Sequence, residues 1–386
     1  MKIGIDVHSI GSGKGGNETY YRCLIKALGA VDTRNDYVLY ATSPNDVRAI
    51  CSNLPNLEVR PIRPASPYFR IPFGIPFQVR NSLDIYHAQF IIPPFLKCRT
   101  VTTIPDIAYE HLPEMFSDYQ RSWSRVLIRR SAMHADHVIT VSERSKRDLA
   151  NTYAISPERI TVTYLAAGDE FYPRQKDEAR EIVSRKYGID GVFVLYLGRL
   201  QGRKNLNTLV DAFARLRKAG CSHQLVLAGK MDTFSGQLLA NAKTSAPPGA
   251  IRLTGFISAD DLPWLYSAAD AFVYPSLHEG FGLPVLEAMA CGIPVITSQD
   301  SAMEEVAAGA ALLVDPLDDV AIANALMRVL QDSNLRCRLI REGLKRSSHF
   351  SYRRTAEQTL NVYEKVGGME SGKAALTSAR ERSLCS

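Results

Sequence analysis

Short apolar runs recur along the chain, each followed by glycine or a polar turn and then by a stretch with hydrophobic residues every three or four positions. That alternation predicts buried parallel strands joined by amphipathic helices, an α/β architecture. In the first series the strands fall at 2–7, 36–43, 57–63, 84–89, 100–106, 137–142 and 159–165. Helices are predicted after Asn17, a candidate cap, and at about 45–52, 117–135 and 143–152. A second series starts at VFVLYLGRL and runs through QLVLAG, IRLTG, AFVYPS, PVITS and LLVDP. Its helices are expected at LNTLVDAFARLRKAG, near 233–245, near 258–268, at LPVLEAMA and at about 318–331 and 333–346. Between the series, 169–186 is polar and places a linker. The expected organisation is a domain over 1–168, a second over 169–348, an amphipathic helix over 349–366 and a small, polar, disordered tail over 367–386.

Composition agrees with two ordinary globular domains, since 46% of the 386 residues are hydrophobic and 22% charged. A net charge of +6, with basic and acidic residues intermixed, does not demand nucleic acid, and none is expected as a partner; an anionic substrate or membrane surface fits as well. The seven cysteines are scattered without a C-x-x-C pair, which suits a reducing cytoplasm and suggests neither zinc nor a redox dithiol. No signal-peptide core and no run of about 20 apolar residues is present, so a soluble or peripheral protein is expected. Two stretches break the pattern. The segment 60–80 mixes prolines, aromatics and arginines and reads as an irregular surface segment. The helix at 117–135 carries Arg121, Arg125, Arg129 and Arg130, either a solvated basic face or one that touches anionic lipid.

Candidate chemistry gathers in loops after strands. Gly11, Gly13 and Gly16 satisfy G-x-G-x-x-G, but the next strand ends in Ala41, Thr42 and Ser43, without the acid that would hold a dinucleotide ribose. A Walker A loop fails as well, because Gly15 follows Lys14 where Ser or Thr is needed. What remains is a flexible loop, with Gly15 and Gly16, at the carboxyl end of a first strand. In GRLQGRKN, Gly198 and Arg199 follow a strand while Lys204 and Asn205 precede a helix, so two cations converge where a diphosphate would be neutralised. The stretch HEGFGLPVLEAMA is a strand-to-helix loop whose glycines let the backbone approach a ligand and whose helix-start amides can hold an anion. Glu279 opens it and Glu287 lies in the helix, an E-x7-E spacing; alone, a routine turn and a solvent-facing Glu287 would explain both.

The full string EGFGLPVLEAMACGIPVI and the element G-R-x(4)-K-N resemble those of the retaining GT-B glycosyltransferases, glycosyltransferase family 4, and the likeness covers about 2–366. The resemblance implies two Rossmann-like domains facing a cleft, with the last helix crossing back to the N-terminal one. It implies a hexosyl transfer from a nucleotide-sugar, with GDP-mannose the donor favoured by overall likeness, to a saccharide or lipid-linked acceptor, with retention of configuration. Arg199 and Lys204 would neutralise the leaving diphosphate and Glu279 would contact the donor sugar. Gly280, Phe281, Gly282 and Leu283 would meet sugar and phosphate, and Glu287 would take the ribose hydroxyls. Gly15, Gly16, Gly198 and Asn205 complete the expected donor side. Asp106 and His111 are the candidates on the acceptor side. No D-x-D triplet is present, so neither a metal nor a cofactor is expected, and the nucleotide-sugar is a substrate.

One position departs from the family, which commonly carries His-Asp where this chain has Pro105 and Asp106. Either the imidazole is dispensable, or His111 or His87 supplies it, or the protein is a weakened or non-catalytic nucleotide-sugar-binding homologue.

Overall fold

In a computed structural model, residues 1–13, 15–52, 54–79, 82–231, 236, 240 and 244–368 are described. The expected tail beyond 368 and most of the helix expected near 233–245 lie outside them. The chain divides into two units: unit 1 comprises Met1–Ile107, Asp118–Leu165 and the chain from Tyr352, and unit 2 comprises Ala108–Ser117 and Ala166–Ser351.

Unit 1 is built on a parallel sheet in the order β3-β2-β1-β4-β5-β6-β7. Its strands are β1 (Lys2–Asp6), β2 (Asp36–Ala41), β3 (Leu57–Pro61), β4 (Ile85–Gln89), β5 (Arg99–Thr103), β6 (His137–Thr140) and β7 (Ile160–Val162). The central strands are buried along their length, as a sheet covered on both faces requires. Sequence order reverses at β1, which pairs with β2 on one side and β4 on the other, Ile3 lying opposite Tyr37 and Ile85. The helix Gly16–Val31 covers the sheet with Tyr20, Tyr21, Leu24, Ile25 and Leu28. It starts at Gly15 without a side-chain cap, so the capping role expected of Asn17 is not taken. The last helix, Tyr352–Val366, packs beside it in the same unit and buries Thr355, Ala356, Thr359, Val362 and Tyr363.

The segment expected to be irregular is partly regular. After β3 it forms consecutive turns of helix at Pro67–Phe69, Arg70–Gly74 and Ile75–Val79. Proline is compatible with a first helical turn, where no amide partner is lost. Ile75 and Val79 anchor the segment in a cluster with Val38, Tyr40, Ile62, Leu83 and Tyr86.

Unit 2 repeats the plan with a parallel sheet in the order β10-β9-β8-β11-β12-β13. The strands are β8 (Phe193–Leu197), β9 (Gln224–Ala228), β10 (Ile251–Gly255), β11 (Ala271–Tyr274), β12 (Val295–Ser298) and β13 (Leu312–Val314). Order reverses between β8 and β11, which pair directly, Ala271 opposite Val194. In such sheets the crevice at the carboxyl ends of the two strands flanking the reversal is where ligands bind. GRLQGRKN follows β8 and HEGFG follows β11, so topology alone brings the two singled-out loops together.

Candidate functional site

The loop after β8 is shaped by close backbone approach. Gly198 donates its amide to Ala228 O at 2.9 Å. A Cβ on Gly229 would lie 1.9 Å from Gly198 O, so only glycine fits there. A single 3-10 turn, Gly202–Lys204, follows and ends at Asn205 in the left-handed region, with φ 58°. Asparagine tolerates that conformation. Asn205 accepts from Thr208 Oγ1 at 2.7 Å and donates to Pro316 O, which fixes the start of helix Leu206–Lys218.

The turn presents Arg203 and Lys204 to Glu279. Buried Lys204 donates to Tyr274 Oη at 2.6 Å and pairs with Glu279 Oε1, its ammonium 5.0 Å from the Tyr274 ring centre. Ser276 Oγ donates to the same oxygen at 2.6 Å and Tyr274 Oη at 3.2 Å. Arg203 Nη1 takes the other oxygen, Oε2, at 2.9 Å and also donates to His278 O at 2.8 Å. Its own carbonyl accepts from Leu277 N at 2.9 Å and Ser276 Oγ at 3.1 Å, so Arg203 ties one loop to the other with backbone and side chain. Burial by itself would raise the Glu279 pKa. The charges of Arg203 and Lys204 and the hydrogen bonds from Lys204 and Ser276 outweigh it and hold the carboxyl well below the usual carboxylate range.

Gly282 turns the chain into the helix Leu283–Ala290 with φ 95°, close to Met303, and Pro284 occupies the first turn. The helix has no side-chain cap; Pro284 brings no amide and Val285 N already donates to Gly282 O at 2.9 Å, which leaves the Leu283 amide at the helix start for an anion. Phe281 is buried edge-on against Phe350, ring centres 5.9 Å apart. Further along, Glu287 is buried and accepts from Tyr266 Oη at 2.8 Å. Burial pushes its pKa up to about 7; the Tyr266 hydrogen bond opposes that rise and the Glu170 charge adds to it.

The structure thus gathers Gly198, Arg199, Lys204, Asn205, Glu279, Gly280, Phe281, Gly282, Leu283 and Glu287 on the β8 and β11 loops of unit 2. Arg199 is exposed and carries no ion pair among the described residues. Lys204 instead is held by an internal carboxylate. Gly15, Gly16 and Asp106 belong to unit 1. A Cβ on Gly15 or Gly16 would meet nothing within 4 Å, but the amides of Gly11 and Gly13 already donate to the two Glu18 oxygens at 2.9 and 2.8 Å. That part of the glycine loop holds an anion of its own.

His111 was expected with the acceptor side of the first domain, and the structure places it elsewhere. Ala108–Ser117 belongs to unit 2, with the His111 ring 5.0 Å from that of His278 and Met115 close to Gly202. His87 is not available to replace an imaginable imidazole at position 105. It is fully buried, Nδ1 2.6 Å from Tyr363 Oη and Nε2 2.7 Å from Thr103 Oγ1, and burial lowers its pKa to about 3. Sequence reasoning missed Arg203, Tyr266, Tyr274 and Ser276. The adjacent Arg-Lys pair and the tyrosine at the end of a short strand were the signals available.

Residues 179–346 match the family described as Glycosyl transferases group 1, and residues 14–166 match Glycosyltransferase Family 4. The O-antigen chain mannosyltransferase B of Escherichia coli is 33% identical over 282 residues, which cover 72% of this chain and 74% of that protein. Among solved structures, sucrose-phosphate synthase from Thermosynechococcus elongatus superposes with a TM-score of 0.75 at 23% identity, covering 96% of this chain and 100% of the other. Anabaena HepE in complex with UDP and glucose gives 0.74 at 18%, covering 95% and 100%. At those identities the structures speak for the fold.

Proposed function

Because the chain belongs to the glycosyltransferases, a family 4 portion followed by a group 1 portion in a GT-B fold, we propose that it transfers a hexose, preferentially mannose, from a nucleoside diphosphate sugar to a saccharide or lipid-linked acceptor of cell-envelope polysaccharide. The observation that carries this reading is the meeting of exposed Arg199, the Arg203–Lys204–Glu279 cluster and the uncapped helix start after Gly282 at the β8–β11 reversal. A guanidinium and the Leu283 amide suit a diphosphate, and buried Glu287 suits the two ribose hydroxyls. Mannose is favoured by the name of the Escherichia coli relative. In the reaction the bond from hexose C1 to the phosphate oxygen breaks while an acceptor oxygen bonds to C1 on the same face. The acceptor proton passes to the departing phosphate, and the configuration is retained. Neutralisation of the leaving group by protein cations and amides gives a metal-independent route. The setting proposed is the cytoplasmic side of the membrane.

A panel of nucleotide-sugars tests this by thermal stabilisation, followed by release of nucleoside diphosphate on adding envelope saccharides. At 100 times its dissociation constant the preferred donor stabilises by about 2.7 kcal/mol. GDP-mannose should rank first, and Arg199→Ala should fold normally yet lose roughly 10² in turnover. If no nucleotide-sugar stabilises the protein and none is consumed, the reading is wrong.

A further inference from the structure

Unit 1 presents large apolar side chains to solvent along two adjoining segments. In the turns 67–79, Tyr68, Phe69, Phe73 and Phe77 point outward, Phe73 and Phe77 being 66% and 68% exposed, while Ile75 and Val79 hold the segment to the core. On the helix Asp118–His134, Tyr119, Trp123, Val126, Arg130 and Met133 follow at alternating spacings of four and three and so form one face. All five are exposed, Val126 by 65%, whereas Ile128, Ser131 and Ala132 on the opposite side are buried. This face is therefore apolar where an ordinary surface helix would be polar. The two segments are joined: the Tyr68 and Tyr119 hydroxyls are 2.8 Å apart, and the Tyr68 and Trp123 rings meet edge-on at 5.7 Å.

Charge says what covers it. Residues 63–79 expose Arg63 and carry no carboxylate, Arg70 being buried, and on the helix Arg129 and Arg130 lie on or beside the apolar face while Arg121 and Arg125 share the stripe of Ile128; the helix has a single acid, Asp118. That acid is already paired with Arg121 at 2.8 Å. We propose that this aromatic and arginine face of unit 1 rests on an anionic lipid bilayer, the rings entering the headgroup region and the arginines pairing with lipid phosphates. Aromatic rings spread over two segments and bordered by arginine are what a membrane interface accommodates, because ring bodies take the apolar side and guanidinium groups stay with phosphate. The inference rests on surface chemistry and not on the transfer reaction.

Full-length protein is mixed with vesicles of phosphatidylcholine alone or with about one third phosphatidylglycerol, at low and high salt, and sedimented. The native protein should sediment with anionic vesicles at low salt and be released by high salt, since surface attraction decays over roughly 8 Å at physiological ionic strength. Replacing Arg129 and Arg130 together by Gln should weaken partitioning about thirtyfold. Phe73→Ser with Phe77→Ser, at two exposed positions, should weaken attachment to anionic vesicles at low salt as well. In a Trp264→Phe background, Trp123 emission should shift to the blue with anionic vesicles only. Supernatant localisation under every condition, or equal binding to neutral and anionic vesicles, overturns the proposal. So does native-like binding by both variants. Donor stabilisation measured on the same samples without vesicles keeps that failure separate from a failure of the transferase reading.

Discussion

Glu279 and Glu287 lie in one strand–loop–helix unit, both buried, and their surroundings push them apart: cations hold the first ionised while apolar burial brings the second to about 7. Two carboxylates so separated serve different tasks. Glu287 ionised is the better acceptor for two ribose hydroxyls, so nucleotide-sugar affinity should fall as pH drops below about 7 and level off above it. The donor's phosphates are diesters without an ionisation near neutrality, so calorimetry across pH reads Glu287 directly; Glu287→Gln should flatten the profile. An unchanged pH dependence in that variant would remove Glu287 from the ribose. For stability the sign is opposite: a carboxyl raised on folding contributes fully below its unfolded value and loses that contribution as pH rises through 7. Arg203 makes a second test. When a diphosphate draws on Lys204, Arg203 is the cation left on Glu279 Oε2. Arg203→Gln should cut turnover roughly tenfold or more, with Arg203→Lys partly restoring it. Normal turnover would show Arg203 to be only a loop tie. The spacing of Arg199 and Lys204 was legible because both end a sequence pattern. Arg203 was not, since its role arises only when β11 is laid beside β8.

At the scale of elements, strands were the most legible feature, because a strand covered on both faces must be apolar throughout. The turns at 67–79 were hidden by their prolines, which a local reading takes as breakers although Pro67 opens the first turn and Pro72 lies in a wider π-helical turn, Arg70–Gly74. The last helix shows how one polar contact can seat an element. Tyr363 meets His87, which meets Thr103, so β4, β5 and the helix Tyr352–Val366 share a buried hydrogen-bonded line. Tyr363→Phe leaves His87 Nδ1 buried without its partner and should cost about 1–3 kcal/mol, read as a lower urea midpoint at unchanged slope. A midpoint equal to the native one would mean the line contributes nothing net.

For the whole molecule, two α/β series were evident from periodicity, and the expected breaks at 168 and 348 compare with 165 and 351 in the structure. Ala108–Ser117 was read with the first series because nothing in AYEHLPEMFS differs from its neighbours. Its membership in unit 2 depends on His111 against His278 and Met115 against Gly202, contacts between side chains far apart in sequence. Unit 1 is accordingly assembled from three stretches of chain, the last of them beginning at Tyr352. During synthesis the ribosome delivers everything unit 2 needs before that last stretch emerges. The usual order, N-terminal domain first, is thereby reversed. A polypeptide cut short before Tyr352 would carry a finished second unit beside a first one with Tyr21 and His87 uncovered. Such a fragment is a substrate for chaperones and proteases, so premature termination late in the message is expected to be cleared and not tolerated.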